Sequence, residues 1–395
     1  MYTRNVQSFD VAIIGLGAMG SAAAHQLAKR GAKVLGIDRF TPPHDRGSSH
    51  GETRITRQAI GEGKEYVPLV LRSNELFREI ERETGQKLLE QTGGLVLADL
   101  ENESGQHGVP GFLRSTINAA ETFGIEHVVL STAELKKRFP QFNVHKETGY
   151  YEPGAGFLYP ERCIDAQLQL AKRHGADVHT NEPVLSYEAH SGDDRVTIRT
   201  ANGTYEAEKL IMAAGPWMKT FLPEHASDLK IFRQVLFWFD VEGPIEPYQP
   251  PQFPIFVWTA GKDIDQLYGF PAIEGSAGGV KVATEQYGTS IDDPDKMIRE
   301  IAEEEIRRMQ KHVVQFLPGL SGKCVKAKAC PYTVTPDARF IIDYHPIHQN
   351  IIVASPCSGH GFKHSAAIGE ALCQMALDGK TALDISSFSL KRLKN

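Results

Sequence analysis

The stretch that most constrains the fold is Phe9 to Asp38, about thirty residues that run strand, glycine signature, helix, strand and acid. Phe9 to Ile14 is a short apolar run of strand type, and Gly15-Leu16-Gly17-Ala18-Met19-Gly20 follows it at once. A small-residue helix from Ser21 stops at Gly31, and Lys33 to Ile37 is a second apolar strand ending in Asp38. This is the order of a dinucleotide-binding βαβ unit, in which the glycine turn brings a pyrophosphate to a helix N-terminus. Gly15 makes the tight turn, Gly17 lets the backbone approach the pyrophosphate, and Gly20 lets the helix pack on the strand. Asp38 is placed to hold a ribose hydroxyl pair, and an acid there disfavours a 2′-phosphate. A bare GxGxxG would also suit an ordinary glycine-rich turn, but here each element of its context is present.

At 395 residues and 41% hydrophobic content, the chain has material for two domains with real cores. A formal net charge of −6 without any block of basic residues leaves no electrostatic footprint for nucleic acid. No apolar run is long enough to span a bilayer and Met1 to Asp10 is polar, so neither a membrane span nor a signal peptide is expected, and the cytoplasm is the expected compartment. Cys163, Cys324, Cys330, Cys357 and Cys373 are odd in number, scattered and without CxxC spacing, which argues against a disulfide scaffold and against a metal site.

Beyond the first unit, Pro42 and Pro43 forbid a continuing helix. Arg54 and Arg57 lie three apart, a spacing that puts both on one face of a helical turn, either as a solvated pair or as a site. From Tyr66 onward, Val67, Leu69, Val70, Leu76, Phe77 and Ile80 mark a long amphipathic helix. Gln91 to Leu97 reads as one strand, and Leu113 to Phe123, Ser131 to Phe139 and Ile164 to Arg173 read as helices. Arg195 to Arg199, the Asn202-Gly203 turn and Tyr205 to Ala207 form a hairpin that feeds a buried strand, Lys209 to Gly215. A hairpin that returns a strand to the first sheet implies a dinucleotide domain rebuilt from separated pieces, with Val184 near the adenine end.

Ile231 to Asp240, Phe256 to Thr259, Gln266 to Phe270 and Gly279 to Ala283 look antiparallel and, with a helix from Lys296 to Phe316, describe a second domain floored by a sheet. Lys281 sits inside the last of these strands: it either faces out from a two-faced sheet or faces in, where its charge needs a partner. The expected fold class is α/β. A Rossmann-type domain made of residues 1–85, 150–220 and 320–395 is joined to an α+β substrate domain with a mainly antiparallel sheet, residues 86–149 and 221–319.

The C-terminal run from Ala327 to Lys363 holds the thiol Cys330 two residues before Tyr332, then strands Phe340 to Ile342 and Ile351 to Ala354, then Ser358-Gly359-His360-Gly361 and Lys363. A helical pattern follows from Ser365. Glycines at a helix start admit close backbone approach by an anionic or electron-rich ring edge.

Taken together, from Phe9 to near its C-terminus the chain resembles the monomeric sarcosine oxidase and N-methyltryptophan oxidase family of flavoproteins. The motifs that carry the resemblance are GLGAMG with Asp38, PPHDRGSSHGETRITRQAIGEGKEYVPL, YGFP at Tyr268 to Pro271, Lys281 after a glycine pair, ACPYT around Cys330, FIID and SGHGFK. The resemblance implies FAD bound covalently through Cys330, with Ser48, Arg54, Val184, Gly359, Gly361 and Lys363 joining Gly15, Gly17, Gly20 and Asp38 around it. It also implies that Lys281 sits beside flavin N5 and promotes reaction with O2, that Arg54 lies beside the ring, that Arg57 and Lys363 hold the substrate carboxylate, and that Tyr268 and Tyr332 line the cavity. The implied partners are a small secondary amine and O2, taken by a monomer, with no metal.

The expected chemistry removes a hydride equivalent from the carbon beside nitrogen and leaves an imine that water hydrolyses. This chain departs from the family at Glu285, where a histidine is usual four residues after the lysine, and at Ser49-His50, where two histidines are usual. Either Glu285 lines the cavity and adds a negative charge near the amine, or it faces the surface. On the first alternative it favours a substrate with a cationic or hydrogen-bonding group there, so the expected substrate is an N-methyl or cyclic secondary amino acid other than sarcosine itself. The rival readings are a NAD-linked dehydrogenase, which has no use for Cys330, a flavin dehydrogenase that feeds a carrier instead of O2, and a flavin-fold protein without turnover.

Overall fold

A computed structural model describes residues 6–101, 107, 109–189, 195–259 and 266–393. Its first sheet has eight strands. Asp177–His179, Val34–Ile37, Gln7–Ile14, Thr204–Met212 and Ile351–Ser355 lie side by side and parallel in that order. Antiparallel additions are Ile341–Tyr344 against Ile351–Ser355, and the ribbon Val184–Ala189 with Val196–Thr200 against Thr204–Met212. Strands so distant in sequence sharing one sheet is the discontinuity that the returning hairpin implied.

The middle of the sheet, residues 11–14, 34–37, 210–212 and 351–354, is buried on both faces because these runs are apolar. Val11 and Ile13 face the core shared with helices Ala18–Lys29, Pro160–Arg173 and Ser365–Asp378, while Phe9, Ala12 and Ile14 face a separate core. The two small-residue helices press closely together: a Cβ on Gly369 would come within 2.4 Å of the Ala22 side chain.

The second sheet has nine strands and a strict division of labour between its faces. Its members are antiparallel except for the pair Ile255–Thr259 and Gly94–Ala98. On one face Val235, Phe237, Phe239, Leu267, Val280 and Val282 pack with Met309, Val313 and Phe316 of helix Glu303–Phe316. Alternate residues of the same strands, Leu236, Trp238, Ala283 and Cys330, point the other way with Tyr268 and Tyr332. That face covers the first domain's ligand cleft.

Several local expectations are corrected. The run expected as one strand over Gln91 to Leu97 breaks at Gly93 (φ 75°), so Leu89–Gln91 joins a three-stranded sheet with Arg54–Thr56 and Gly156–Leu158, while Gly94–Ala98 joins the large one. Tyr205 to Ala207 and Lys209 onward are one strand, Thr204–Met212. The helix expected from Lys296 begins at Glu303, after an isolated turn at Pro294–Lys296, and Glu305 starts it by accepting the Ala302 N–H at 2.9 Å. Arg54 lies in a strand, so helical spacing to Arg57 does not apply. Leu320–Val334 pairs along Lys230–Val241 in the second sheet, which moves the domain boundary expected at 320 past Val334, and Thr148–Glu152 carries the one expected at 150 past Glu152.

Candidate active site

A cleft of about 660 Å³ runs across the carboxyl ends of the parallel strands, within the range of cofactor pockets. Gly15, Gly17, Asp38 and Val184 line it, as do Ser48, Arg54, Tyr332, Gly359 and Gly361. Gly15 holds φ +89°, and a Cβ there would strike the Ala213 carbonyl oxygen at 2.6 Å. Gly20 is not on the cleft; a Cβ on it would lie 1.8 Å from the Gly15 oxygen, so it serves helix packing. A Cβ on Gly17 meets nothing within 4 Å, which leaves open space at the start of helix Ala18–Lys29, as a cradle for a pyrophosphate requires. Asp38 accepts the Leu16 N–H at 2.7 Å on one oxygen and the Phe40 N–H at 2.8 Å on the other, and each oxygen keeps a second lone pair. Adenosine and pyrophosphate groups of FAD fit these residues.

The cleft meets a smaller chamber of about 70 Å³, with Arg54, Tyr332, Gly359 and Phe362 in the wall of both. Arg57, Glu62, His107, Tyr268, Lys281, Glu285, His360 and Lys363 complete it. A space of that size takes a small ligand only.

Lys281 faces in: it is 2% exposed, and its Nζ donates to the Gly51 carbonyl at 2.7 Å, the Thr53 carbonyl at 2.8 Å and Thr53 Oγ1 at 3.0 Å. Those acceptors and the Phe270 ring, 4.4 Å from Nζ, are the partners its charge needed. Burial, and then Arg54, push its pKa well below the ordinary lysine value. Arg54 donates to the Thr53 and Ser48 carbonyls, so the two cations are held by one loop.

Arg57 is also buried, and its Nη2 sits 2.6 Å from Glu62 Oε2 while Nη1 donates to the Ala59 carbonyl. Lys363 Nζ donates to the His360 carbonyl at 2.8 Å. Burial, tempered by Glu62, brings Lys363 down to about 7. Burial opposes the charge on Glu62, yet Arg57, His107 and Lys363 hold its carboxyl well below the usual range.

Glu285 lines the chamber, but its charge is met by His107, whose Nε2 faces Glu285 Oε1 while Nδ1 lies 3.2 Å from Glu62 Oε1. The negative charge expected near the amine is therefore paired, and is not free to favour a cationic group there. Tyr268 and Tyr332 touch through their hydroxyls at 3.3 Å. Cys330 is fully buried behind these tyrosines and lines neither cavity. Burial pushes its thiol up, against the pull of Arg54 and Lys281.

Sequence reasoning missed Glu62 and His107. Glu62 lay inside a quoted motif, five residues after Arg57, and the rule that a buried arginine needs an anion was the signal that could have found it. His107 carries no local signal; only the topology brings it to Gly359. Among the described residues no group of His, Cys, Asp and Glu could hold a metal ion, and no helix is long and apolar enough to cross a membrane.

Comparison with known proteins agrees with this geometry. The FAD dependent oxidoreductase family matches residues 10–375. A monomeric sarcosine oxidase of Streptomyces avermitilis is 40% identical over 388 residues, covering 98% of each chain. An N-methyl-L-tryptophan oxidase of Yersinia pestis is 34% identical over 392 residues, 98% of this chain and all of that one. Among solved structures, NikD, an unusual amino acid oxidase essential for nikkomycin biosynthesis, superposes with a TM-score of 0.83 at 21% identity, covering 97% of this chain and 98% of the other. L-proline dehydrogenase from P. horikoshii gives 0.80 at 21%, covering 98% of both chains. These last two share the fold. The family match decides the dinucleotide as FAD rather than NAD, and the chain belongs to the FAD-dependent oxidoreductases.

Proposed function

We propose that this protein oxidises small secondary amino acids, N-methyl or cyclic, to imines that hydrolyse to an amine and a carbonyl compound, with O2 as the final acceptor and H2O2 as its product. The observation that carries the reading is the chamber itself, which gathers the cations Arg57, Lys363 and Lys281 in a small space abutting the FAD cleft. Bound FAD supplies the acceptor for the hydride equivalent. Arg57 and Lys363 hold the substrate carboxylate, the first as a planar fork and the second as a point charge, and so orient the carbon that reacts. Glu62 balances Arg57 until that carboxylate arrives. Tyr268, Tyr332 and Phe270 wall the chamber and keep water from the reacting carbon. Lys281, fixed by three acceptors, is preorganised to stabilise as its ammonium the negative charge that develops when O2 is reduced, and burial makes that ammonium a stronger acid than an ordinary lysine.

We place the covalent link to FAD at Cys330, with Ser48 as its neighbour through a 2.6 Å bond to the Pro331 carbonyl. The protein is proposed to act as a monomer in the cytoplasm, and its elution on gel filtration checks the first of these. The central test is anaerobic mixing with N-methyl amino acids and proline. Bleaching of the flavin absorbance, and its recovery with stoichiometric H2O2 on admission of air, is the expected result; bleaching that only an artificial electron carrier reverses would favour a dehydrogenase. Acid precipitation reads the link: colour stays in the pellet, and in Cys330→Ala it moves to the supernatant.

A further inference from the structure

The proposed chemistry leaves two neighbouring titratable residues of the chamber, His107 and Glu285, without a role. The two ring nitrogens of His107 face two carboxylates, Glu62 Oε1 at 3.2 Å and Glu285 Oε1 in closer contact. A neutral imidazole has one N–H, so only the doubly protonated ring turns a proton toward both carboxylates, as a hydrogen bond to Glu62 and an ion-pair contact with Glu285. Burial works against that charge, but Glu285 and Glu62 outweigh it and push the group up to about 9. The ring lies against the glycine turn, with Nε2 at 2.9 Å from where a Gly359 Cβ would stand and the His360 ring 4.9 Å away. Its backbone is in the left-handed region, φ 47°, which a histidine adopts at some cost. The hydrogen bond to Glu62 and the ion-pair contact with Glu285 offset that cost.

Resting on the amino-acid oxidase reading, we propose that His107 determines specificity: bridging Glu62 and Glu285, it closes the chamber, confines the substrate to a short side chain and bars a second positive charge by its own. Glu285 then acts through His107 rather than on the substrate. With the bridge gone, the same pocket would present a carboxylate that keeps, among the described residues, the Tyr287 hydroxyl 3.1 Å from Glu285 Oε2. Such a pocket would be longer and would attract a distal cation.

The test uses FAD-loaded protein and three acids that cannot be oxidised as amines, propanoate, hexanoate and 6-aminohexanoate, with binding measured by titration calorimetry. Wild type is expected to bind propanoate and to bind both longer acids at least tenfold more weakly. In His107→Ala, 6-aminohexanoate should tighten at least tenfold and hexanoate less, while propanoate changes under threefold. Adding Glu285→Gln should erase the difference between the two longer acids. His107→Gln, which keeps bulk and hydrogen bonding, should still exclude hexanoate. If His107→Ala holds its flavin and binds propanoate, yet shows the wild-type order among the three acids, the inference is wrong and the oxidase reading stands. If wild type itself binds no propanoate, the carboxylate site on which both depend is wrong.

Discussion

Replacing Glu62 by Gln separates the two things this carboxylate does in the free protein. It is buried, with Arg57 Nη2 at 2.6 Å and His107 Nδ1 at 3.2 Å. Removing one partner of a buried ion pair costs about 3–5 kcal/mol. Gln keeps a carbonyl oxygen for Arg57, and the Arg57 bond to the Ala59 carbonyl is untouched, so about 2 kcal/mol is the expected loss. With roughly 2.1 cal/mol/K of unfolding entropy per residue over 395 residues, that loss lowers Tm by about 2–3 °C. A ligand carboxylate would then meet an Arg57 whose charge has no other anion to leave. Recovering about 1.4 kcal/mol of the loss on binding tightens propanoate about tenfold. Melting curves with and without propanoate, together with calorimetric titration, read both halves, and the variant should gain more Tm from saturating ligand than wild type does. Propanoate binding the variant no more tightly than wild type would refute the claim that Glu62 holds the place of the substrate carboxylate.

Three further outcomes are expected. Lys281→Met should slow reoxidation of reduced flavin by O2 at least about a hundredfold, or about 2.7 kcal/mol of barrier, while flavin content stays near wild type; stopped-flow mixing with aerated buffer measures the rate. Carboxylate binding should weaken as pH rises through about 7, because Lys363 passes from ammonium to amine there, and Lys363→Met should bind more weakly with that step removed. The same group makes stability rise with pH between about 7 and its unfolded value near 10.4, since the unfolded chain holds the proton that the buried amine has lost. Gly20→Ala must push the helix off its turn and should fail to accumulate as folded protein, whereas Gly17→Ala, with open space for its methyl group, should fold with an unchanged apo Tm and fail to take up FAD when the apoprotein is titrated with it.

The dinucleotide half of the molecule was legible because its signals are local: glycine spacing, apolar runs and an acid at a fixed distance. Lys281 was legible as a question, since a charge between Val280 and Val282 must have a reason, but its direction depended on which face of the sheet met the other domain. Strand Leu320–Val334 was hidden by its lysines, which break the apolar pattern on an edge that is half exposed. The break at Gly93 and the delayed start of helix Glu303–Phe316 are boundary effects that tertiary pairing decides. His107 could not be read at all, because its importance comes from two carboxylates distant in sequence.

Lys281, Ala283 and Glu285 take every second position along one strand and the residue just beyond it; Leu236 and Trp238 do the same on the strand beside it and Cys330 and Tyr332 on the strand beyond, while Val282 and Phe237 between them belong to the core. The large sheet is thus read in a frame of two. Substitutions in one frame alter what the enzyme accepts without disturbing what keeps it folded, so substrate range can drift at residue 285 while the core stays fixed. An insertion of one residue in any of these strands is a frameshift: it would turn a lysine and a thiol into the hydrophobic layer and valine and phenylalanine into the chamber. Relatives of this chain should therefore vary in the site by replacement and carry their length changes in the connecting loops.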